Sequence, residues 1–332
     1  MATSASRKKE ARFFTDSAPT VLRPRTTGIT HLLDRLHGFH PSELAPLAAY
    51  VDVAKIGWGL PLLLPREEVR RRIKAYHELS IEVSTGGTLL EYAVVRDRTD
   101  QMMDEARVLG FDIVEVSNGI IELSRLQIEQ LARSAKERGF DVFIEVGKKD
   151  IQNQLSLKET LEGIAFARSL GPRKVIVESR ESGRGVGIYD SEGVIKWDWV
   201  RSILSDHPRD ELIFEAPLES QQVELLRRLG ADVNLGNVAM NSVGPLASER
   251  LGLRGETFDS IRTSRNVRGP PATKFLYYLL ETYRALDQTE LVNLSRLPRR
   301  TVQSGLESLR RQGLVREAVS LTDSRRREYR LL

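Results

Sequence analysis

Short β-rich runs alternate with helical runs eight times along the first 260 residues, and this alternation limits the fold more than any other feature of the chain. The strand candidates are residues 27–34, 51–59, 81–87, 111–119, 140–149, 174–183, 211–217 and 232–239. Helix signals fall between them. Pro65-Arg66-Glu67-Glu68 puts proline and acids at the start of one helix. Ser124 opens another, which closes at Gly139 and whose Leu126, Ile128, Leu131 and Ala135 predict a buried face. Strands separated by helices must run parallel, because a parallel crossover needs about a dozen residues or more. Eight such units in this length predict an α/β fold, a closed (β/α)8 or TIM barrel over residues 25–260. An open doubly wound sheet is the alternative, but no Gly-x-Gly-x-x-Gly follows the first strand.

In such barrels chemistry sits at the C-terminal ends of the strands. Four candidate strands place a glutamate near that end after apolar residues: Glu115, Glu145, Glu178 and Glu215. A carboxylate in an apolar strand is costly unless it is paired or bound to a cation. The four therefore predict either a divalent metal site, for which oxygen ligands suit magnesium, or a set of Glu–Lys/Arg pairs inside the barrel. Lys148 and Lys149 follow the fifth strand. Successive strand residues point to opposite faces, so at most one of them faces the pocket. Gly86-Gly87 and Ser182-Gly183-Arg184-Gly185 offer unobstructed backbone N–H groups, and Arg180 and Arg184 add charge. These elements can cradle a phosphate, or can be ordinary tight turns.

The strand ends resemble those of the phosphosulfolactate synthase family. The matching stretches are Asp52-Val53-Ala54-Lys55-Ile56-Gly57-Trp58-Gly59, Gly86-Gly87-Thr88-Leu89-Leu90-Glu91-Tyr92, Glu145-Val146-Gly147-Lys148-Lys149, Arg180-Glu181-Ser182-Gly183 and Phe214-Glu215-Ala216-Pro217. Asn234-Leu235 and Gly252-Leu253-Arg254-Gly255 continue the match. The resemblance implies a magnesium-dependent addition of sulfite to phosphoenolpyruvate, giving (2R)-phospho-3-sulfolactate on a route to coenzyme M or sulfolactate. It implies Lys149 as the general acid, with Lys148 and Lys55 as further catalytic cations. Glu145, Glu178 and Glu215 become metal ligands. Arg180, Ser182, Gly183, Arg184, Gly86, Gly87 and Asn234 become substrate and phosphate ligands. Two positions depart from the family's pattern: Asp34-Arg35-Leu36 stands where Asp-Lys-Gly is usual, and Ser117-Asn118-Gly119 where Ser-Asp-Gly is usual. Arginine keeps the charge but is a poor proton donor. The alternative function is a sensor of a phosphorylated or sulfonated metabolite, or a heat-stress-type protein, on the same barrel without turnover.

The end of the chain differs in charge. Residues 261–332 hold 15 Arg/Lys against 7 Asp/Glu, while the preceding residues carry a slight negative excess. Three helix-like runs (273–284, 289–297 and one beginning at Pro298) precede strand-like Leu314-Val315 and Tyr329-Arg330-Leu331-Leu332. The pattern resembles the winged helix-turn-helix of MarR- and ArsR-type regulators, over residues 272–332 after a linker at 261–271. Under that resemblance Arg299, Arg300, Thr301 and Gln303 start a recognition helix, and Arg325, Arg326 and Arg327 form a wing that meets DNA phosphate. The alternative is a winged helix used for dimerisation or other protein contacts. Residues 1–24 read as a disordered basic tail. The chain has no cysteine, which excludes disulfides, thiolate metal sites and a cysteine nucleophile. Without a signal peptide or an apolar run near 18 residues, the expectation is a cytoplasmic homo-oligomer with no membrane partner.

Overall fold

The computed structural model describes residues 21, 23–36, 41–258, 267–283, 285–319 and 327–331. The chain divides into two compact units, Met1–Leu251 and Gly252–Leu332.

In the first unit eight parallel strands close on themselves in sequence order, β1 pairing with both β2 and β8. They are β1 Thr30–Asp34, β2 Val53–Ile56, β3 Glu82–Ser84, β4 Ile113–Val116, β5 Asp141–Val146, β6 Lys174–Val177, β7 Leu212–Glu215 and β8 Leu235–Ala239. Each lies inside one of the expected runs. The runs for β2 to β7 extend past the C-terminal end of their strands, because the polar strand ends there belong to loops at the barrel mouth; those for β1 and β8 end with the strand. The doubly wound alternative is excluded by closure.

The alternation along each strand organises the interior. Ile29, Val53, Ile113, Phe143, Ile176 and Ile213 form an apolar plug. Two residues further along each chain the same inward face carries His31, Lys55, Glu115, Glu145, Glu178 and Glu215. The floor of the mouth is thus a buried polar layer resting on an apolar one. A larger core fills the space between the outer strand faces and the surrounding helices.

The helix Arg125–Glu137 begins at Ser124 with a reciprocal cap to Gln127, as expected. Its Ile128 and Ala135 are buried and Leu131 partly so, but Leu126 is exposed: it sits in the first turn, off the stripe that meets the barrel. Pro65 stands just before the helix Arg66–Glu78 rather than inside its first turn. Arg23, assigned by sequence to the tail, donates to the carbonyls of Ala48, Val51, Leu79 and Ser80, so it is held against the barrel; residues 1–20 of the expected tail lie outside the described residues.

The second unit contains helices Pro271–Tyr283, Gln288–Ser295 and Arg299–Arg311. A three-stranded antiparallel sheet joins them, made of β9 Ala285–Asp287, β10 Val315–Val319 and β11 Arg327–Leu331 in the order β10-β11-β9. Its core is Leu276, Leu279, Leu280, Leu291, Val302, Leu306 and Leu309, with Leu314 and Val315. Phe275 on the first of these helices is 41% exposed. β9 was not expected from the sequence; it is a three-residue edge strand that pairs only through β11.

Candidate active site

A cavity of about 430 Å³ opens at the C-terminal ends of the strands. Lys55, Gly86, Gly87, Glu145, Lys149, Glu178, Arg180 and Glu215 line it, so residues expected at the site from five separate strand ends meet there.

Two lysines organise the carboxylates. The Lys55 ammonium donates to Glu215 Oε1 at 2.9 Å and lies 3.5 Å from Glu115 Oε2. Lys149 Nζ donates to Glu145 Oε1 at 2.7 Å, and lies 3.1 Å from Glu178 Oε2 and 3.8 Å from Glu91 Oε1. Burial alone would lower the pKa of both lysines, but the surrounding carboxylates outweigh it, and both are held above the ordinary lysine value. Glu115 lies deeper and does not line the cavity. It accepts from Ser84 Oγ at 2.6 Å and sits 3.0 Å from His31 Nε2. Burial would raise its pKa; Lys55 and His31 bring it down to about 2.

The expectation of Glu–Lys pairs is met, and three of the four glutamates also lie close enough together to hold a cation. Glu–Lys pairs exist, and Glu145, Glu178 and Glu215 also each offer an oxygen within 4.8 Å of the others. The donor set fits a hard dication. Five buried carboxylates (Glu91, Glu115, Glu145, Glu178 and Glu215) face two ammoniums, and Glu178 Oε2 has no hydrogen-bond partner despite its nearness to Lys149. Burial holds the Glu145 carboxyl above the usual range, with Glu215 and Glu115 adding to it against Lys149 and Lys55. A bound cation would relieve that excess.

Glycine is required at two points. At Gly87 an added Cβ would lie 2.4 Å from Ser117 Cβ and 2.6 Å from Glu145 Oε2. At Gly147, with φ +144°, it would lie 2.5 Å from Glu178 Cβ. Bulk at either point would displace a carboxylate of the cluster.

Other expected residues are elsewhere. Lys148 turns away from the cavity: its Nζ donates to the Asn118 carbonyl and pairs with Glu122, each at 2.8 Å. Ser182 and Arg184 are exposed and, with Gly183, stand outside the cavity lining. Gly183 is packed instead against Gln221, which donates to its carbonyl. Asn234 stands at the opposite, N-terminal end of β8. Its side chain accepts from the Ile29 N–H and donates to the Asp210 and Leu212 carbonyls. Replacing Asn234 by alanine is expected to cost about 1–3 kcal/mol of stability, because buried backbone groups lose their partners. Affinity for phosphoenolpyruvate should not change. Denaturant titration and calorimetry check this; weakened ligand binding at unaltered stability would restore a ligand role.

The two departures have distinct settings. Arg35 stacks over the Trp58 ring at 5.5 Å, and Trp58 lines the cavity. Asn118 contributes its backbone carbonyl to Lys148. Trp58, Thr85, Thr88 and Asn237, which carry no role in the sequence reading, also line the cavity. The signal was their place in the polar strand ends.

The model of the family described as (2R)-phospho-3-sulfolactate synthase (ComA) matches residues 19–256. The chain is 37% identical over 240 residues to a phosphosulfolactate synthase of Methanocaldococcus jannaschii, covering 70% of this chain and 95% of that protein. It is likewise 37% identical over 246 residues to that of Methanothermobacter thermautotrophicus, covering 72% and 94%. To the phosphosulfolactate synthase of Bacillus subtilis it is 33% identical over 241 residues, covering 71% and 94%. With that extent of likeness, and with lysines and glutamates gathered at the mouth of a closed barrel, the chain belongs to the phosphosulfolactate synthase family of enzymes.

Proposed function

We propose that the barrel adds sulfite to phosphoenolpyruvate, forming (2R)-phospho-3-sulfolactate, and uses magnesium. The observation that carries the reading is the convergence of Glu145, Glu178 and Glu215 around Lys149 in one cavity. In this reaction the sulfur lone pair forms a bond to C3, the C2=C3 π pair moves onto C2 and its carboxylate, and C2 then takes a proton; nothing leaves. Glu145, Glu178 and Glu215 would hold the magnesium ion, which when bound would supply positive charge near the carboxylate on which the electrons gather. Lys149 is an ammonium at neutral pH and is placed beside the glutamates, so it is the donor of the C2 proton. Lys55, clamped between Glu115 and Glu215, presents a fixed cation to the anionic substrates. The N–H groups after Gly86, where the helix Gly87–Val95 begins, add donors to the same wall.

The test is consumption of phosphoenolpyruvate by the purified protein. Product should form only with sulfite and magnesium together, detected by mass spectrometry. Folded protein at saturating substrates with no phosphosulfolactate would sink the reading in favour of the sensor.

We further propose that the second unit is a winged helix that binds DNA. Three helices with an antiparallel sheet, in the order helix, strand, two helices, two strands, support it. Arg299, Arg300 and Gln303 are exposed at the start of the helix Arg299–Arg311, and Thr301 is half-buried. Arg299 and Arg300 form no ion pair with any described residue. Arg327 opens β11 and lies 3.5 Å from Glu317. Arg325 and Arg326 lie outside the described residues. Among the described residues no helix is long and apolar enough to cross a membrane.

A further inference from the structure

We propose that Glu91 is a positioning residue: it fixes the loop that follows β4, and that loop aims the Lys149 ammonium into the cavity. The inference rests on the reading that Lys149 donates the C2 proton.

Glu91 lies on the helix Gly87–Val95, is 2% exposed and stands outside the cavity lining. Its two oxygens take three donors from one loop. Oε1 accepts from Ser117 Oγ at 2.7 Å, and Oε2 from the Ile120 and Ile121 N–H groups at 2.7 and 2.9 Å. A carboxylate only accepts, so it satisfies all three. A glutamine of the same shape would turn its NH2 toward one of these donors.

The loop in turn holds both lysines. The Lys149 N–H donates to the Gly119 carbonyl at 2.8 Å, the Lys149 ammonium to Ser117 Oγ at 3.3 Å, and the Lys148 ammonium to the Asn118 carbonyl at 2.8 Å. The stem of Lys149 lies against Gly119, where an added Cβ would be 3.0 Å from Cγ and 3.2 Å from Nζ. One loop thus sends the first ammonium to a backbone carbonyl and the second to the cavity wall.

Ser117 joins the two sets of contacts. Its single proton goes to Glu91, which leaves its lone pairs for the Gly119 N–H at 3.2 Å and for Lys149. A proton turned the other way would face those donors. Glu91 therefore orients the hydroxyl as well as the loop. Glu145 and Glu178 also hold Lys149, but in the proposed reaction their oxygens face the cation. The loop contacts do not depend on that cation. They keep the ammonium in one place for proton transfer, and a misplacement of about 1 Å can cost about a hundredfold in rate.

Full-length Glu91→Gln, Ser117→Ala and the double variant, each verified by a thermal melt, test the assignment. They are compared with the parent in steady-state kinetics and by NMR of protein carrying isotopically labelled lysine, with Lys149→Ala and Lys55→Ala identifying those two signals. The expected result for Glu91→Gln is kcat lowered about 10–100-fold with KM for phosphoenolpyruvate within about twofold, because the proton donor moves while the substrate contacts stay. Ser117→Ala should act in the same direction. The double variant should fall no further than the worse single one, since both changes reach the same ammonium. The Lys149 signals should shift in both single variants, with or without magnesium, and the Lys55 signals should not. Should Glu91→Gln fail to fold, Ser117→Ala decides the matter, because it leaves the bonds from Ile120 and Ile121 to Glu91 in place. A raised KM at unchanged kcat, additive losses in the double variant, or Lys149 signals unmoved in the folded single variants would overturn the proposal. A parent that makes no phosphosulfolactate, with Lys149 signals that still depend on Glu91, would overturn the synthase reading and leave the positioning role in place.

Discussion

Lys149→Ala is expected to lower turnover by about 10²–10⁴-fold, the range for loss of a positioned general acid, while Lys148→Ala changes it little. The two lysines are adjacent in sequence, and their side chains are directed to different places. Lys149 Nζ sits 2.7 Å from Glu145 and 3.1 Å from Glu178 at the cavity wall. Lys148 Nζ is bound to the Asn118 carbonyl and Glu122, away from the lining. The carboxylates keep Lys149 protonated, which a proton donor requires. Its raised pKa suits donation to a strongly basic carbon such as C2 after addition, and not to a weakly basic oxygen. Because Lys149 also neutralises Glu145, the alanine variant must be assayed across magnesium concentrations: extra cation can replace the lost charge but not the lost proton. Steady-state kinetics at saturating substrates provides the measurement. Turnover equal to the parent would reject the role, and a loss in Lys148→Ala as deep as in Lys149→Ala would reject the distinction between them.

The full chain is expected to bind duplex DNA with an affinity that falls about 10²–10³-fold between about 50 and 200 mM salt if five arginines each release a counterion. Arg325, Arg326 and Arg327 changed together to alanine should weaken binding to every sequence and flatten the salt slope by about three, one for each phosphate contact. Arg299 and Gln303 are exposed in the first two turns of their helix, where side chains reach base edges, so their replacement should relax sequence preference instead. Barrel turnover should survive both sets, since every residue assigned to its site precedes residue 252. Gel-shift titrations at several salt concentrations decide it. A full chain that retains no duplex at low salt, with truncation of the second unit breaking up an oligomer, would make that unit an assembly device.

Much of the site was legible because a barrel turns sequence position into place. Once eight strand–helix units are recognised, every strand end converges on one mouth, and Lys55, Gly86, Gly87, Glu145, Lys149, Glu178, Arg180 and Glu215 could be gathered from the chain before any coordinates. Asn234 failed by a small displacement along one strand. It precedes β8 and lies at the wrong end, where backbone groups of β1 and the β7 entrance consume its amide; Asn237, three residues later, reaches the cavity. Ser182, Gly183 and Arg184 failed because a glycine-rich run reads the same whether it cradles an anion or turns to pack on its neighbour, here Gln221.

By itself the sequence determined the eight-fold closure, the change to a basic second unit, and the residue types available at the mouth, because all three are local: periodicity, composition and the two-residue alternation of strands. Only the tertiary structure decided which groups share a charge. Glu115 falls to Lys55, Ser84 and His31 beneath the cavity, while Glu145, Glu178 and Glu215 stay together around it. Those assignments depend on distances of about 3 Å between strands far apart in the chain, and electrostatic energy changes severalfold over such distances once water is excluded. No pattern within a single strand carries that information.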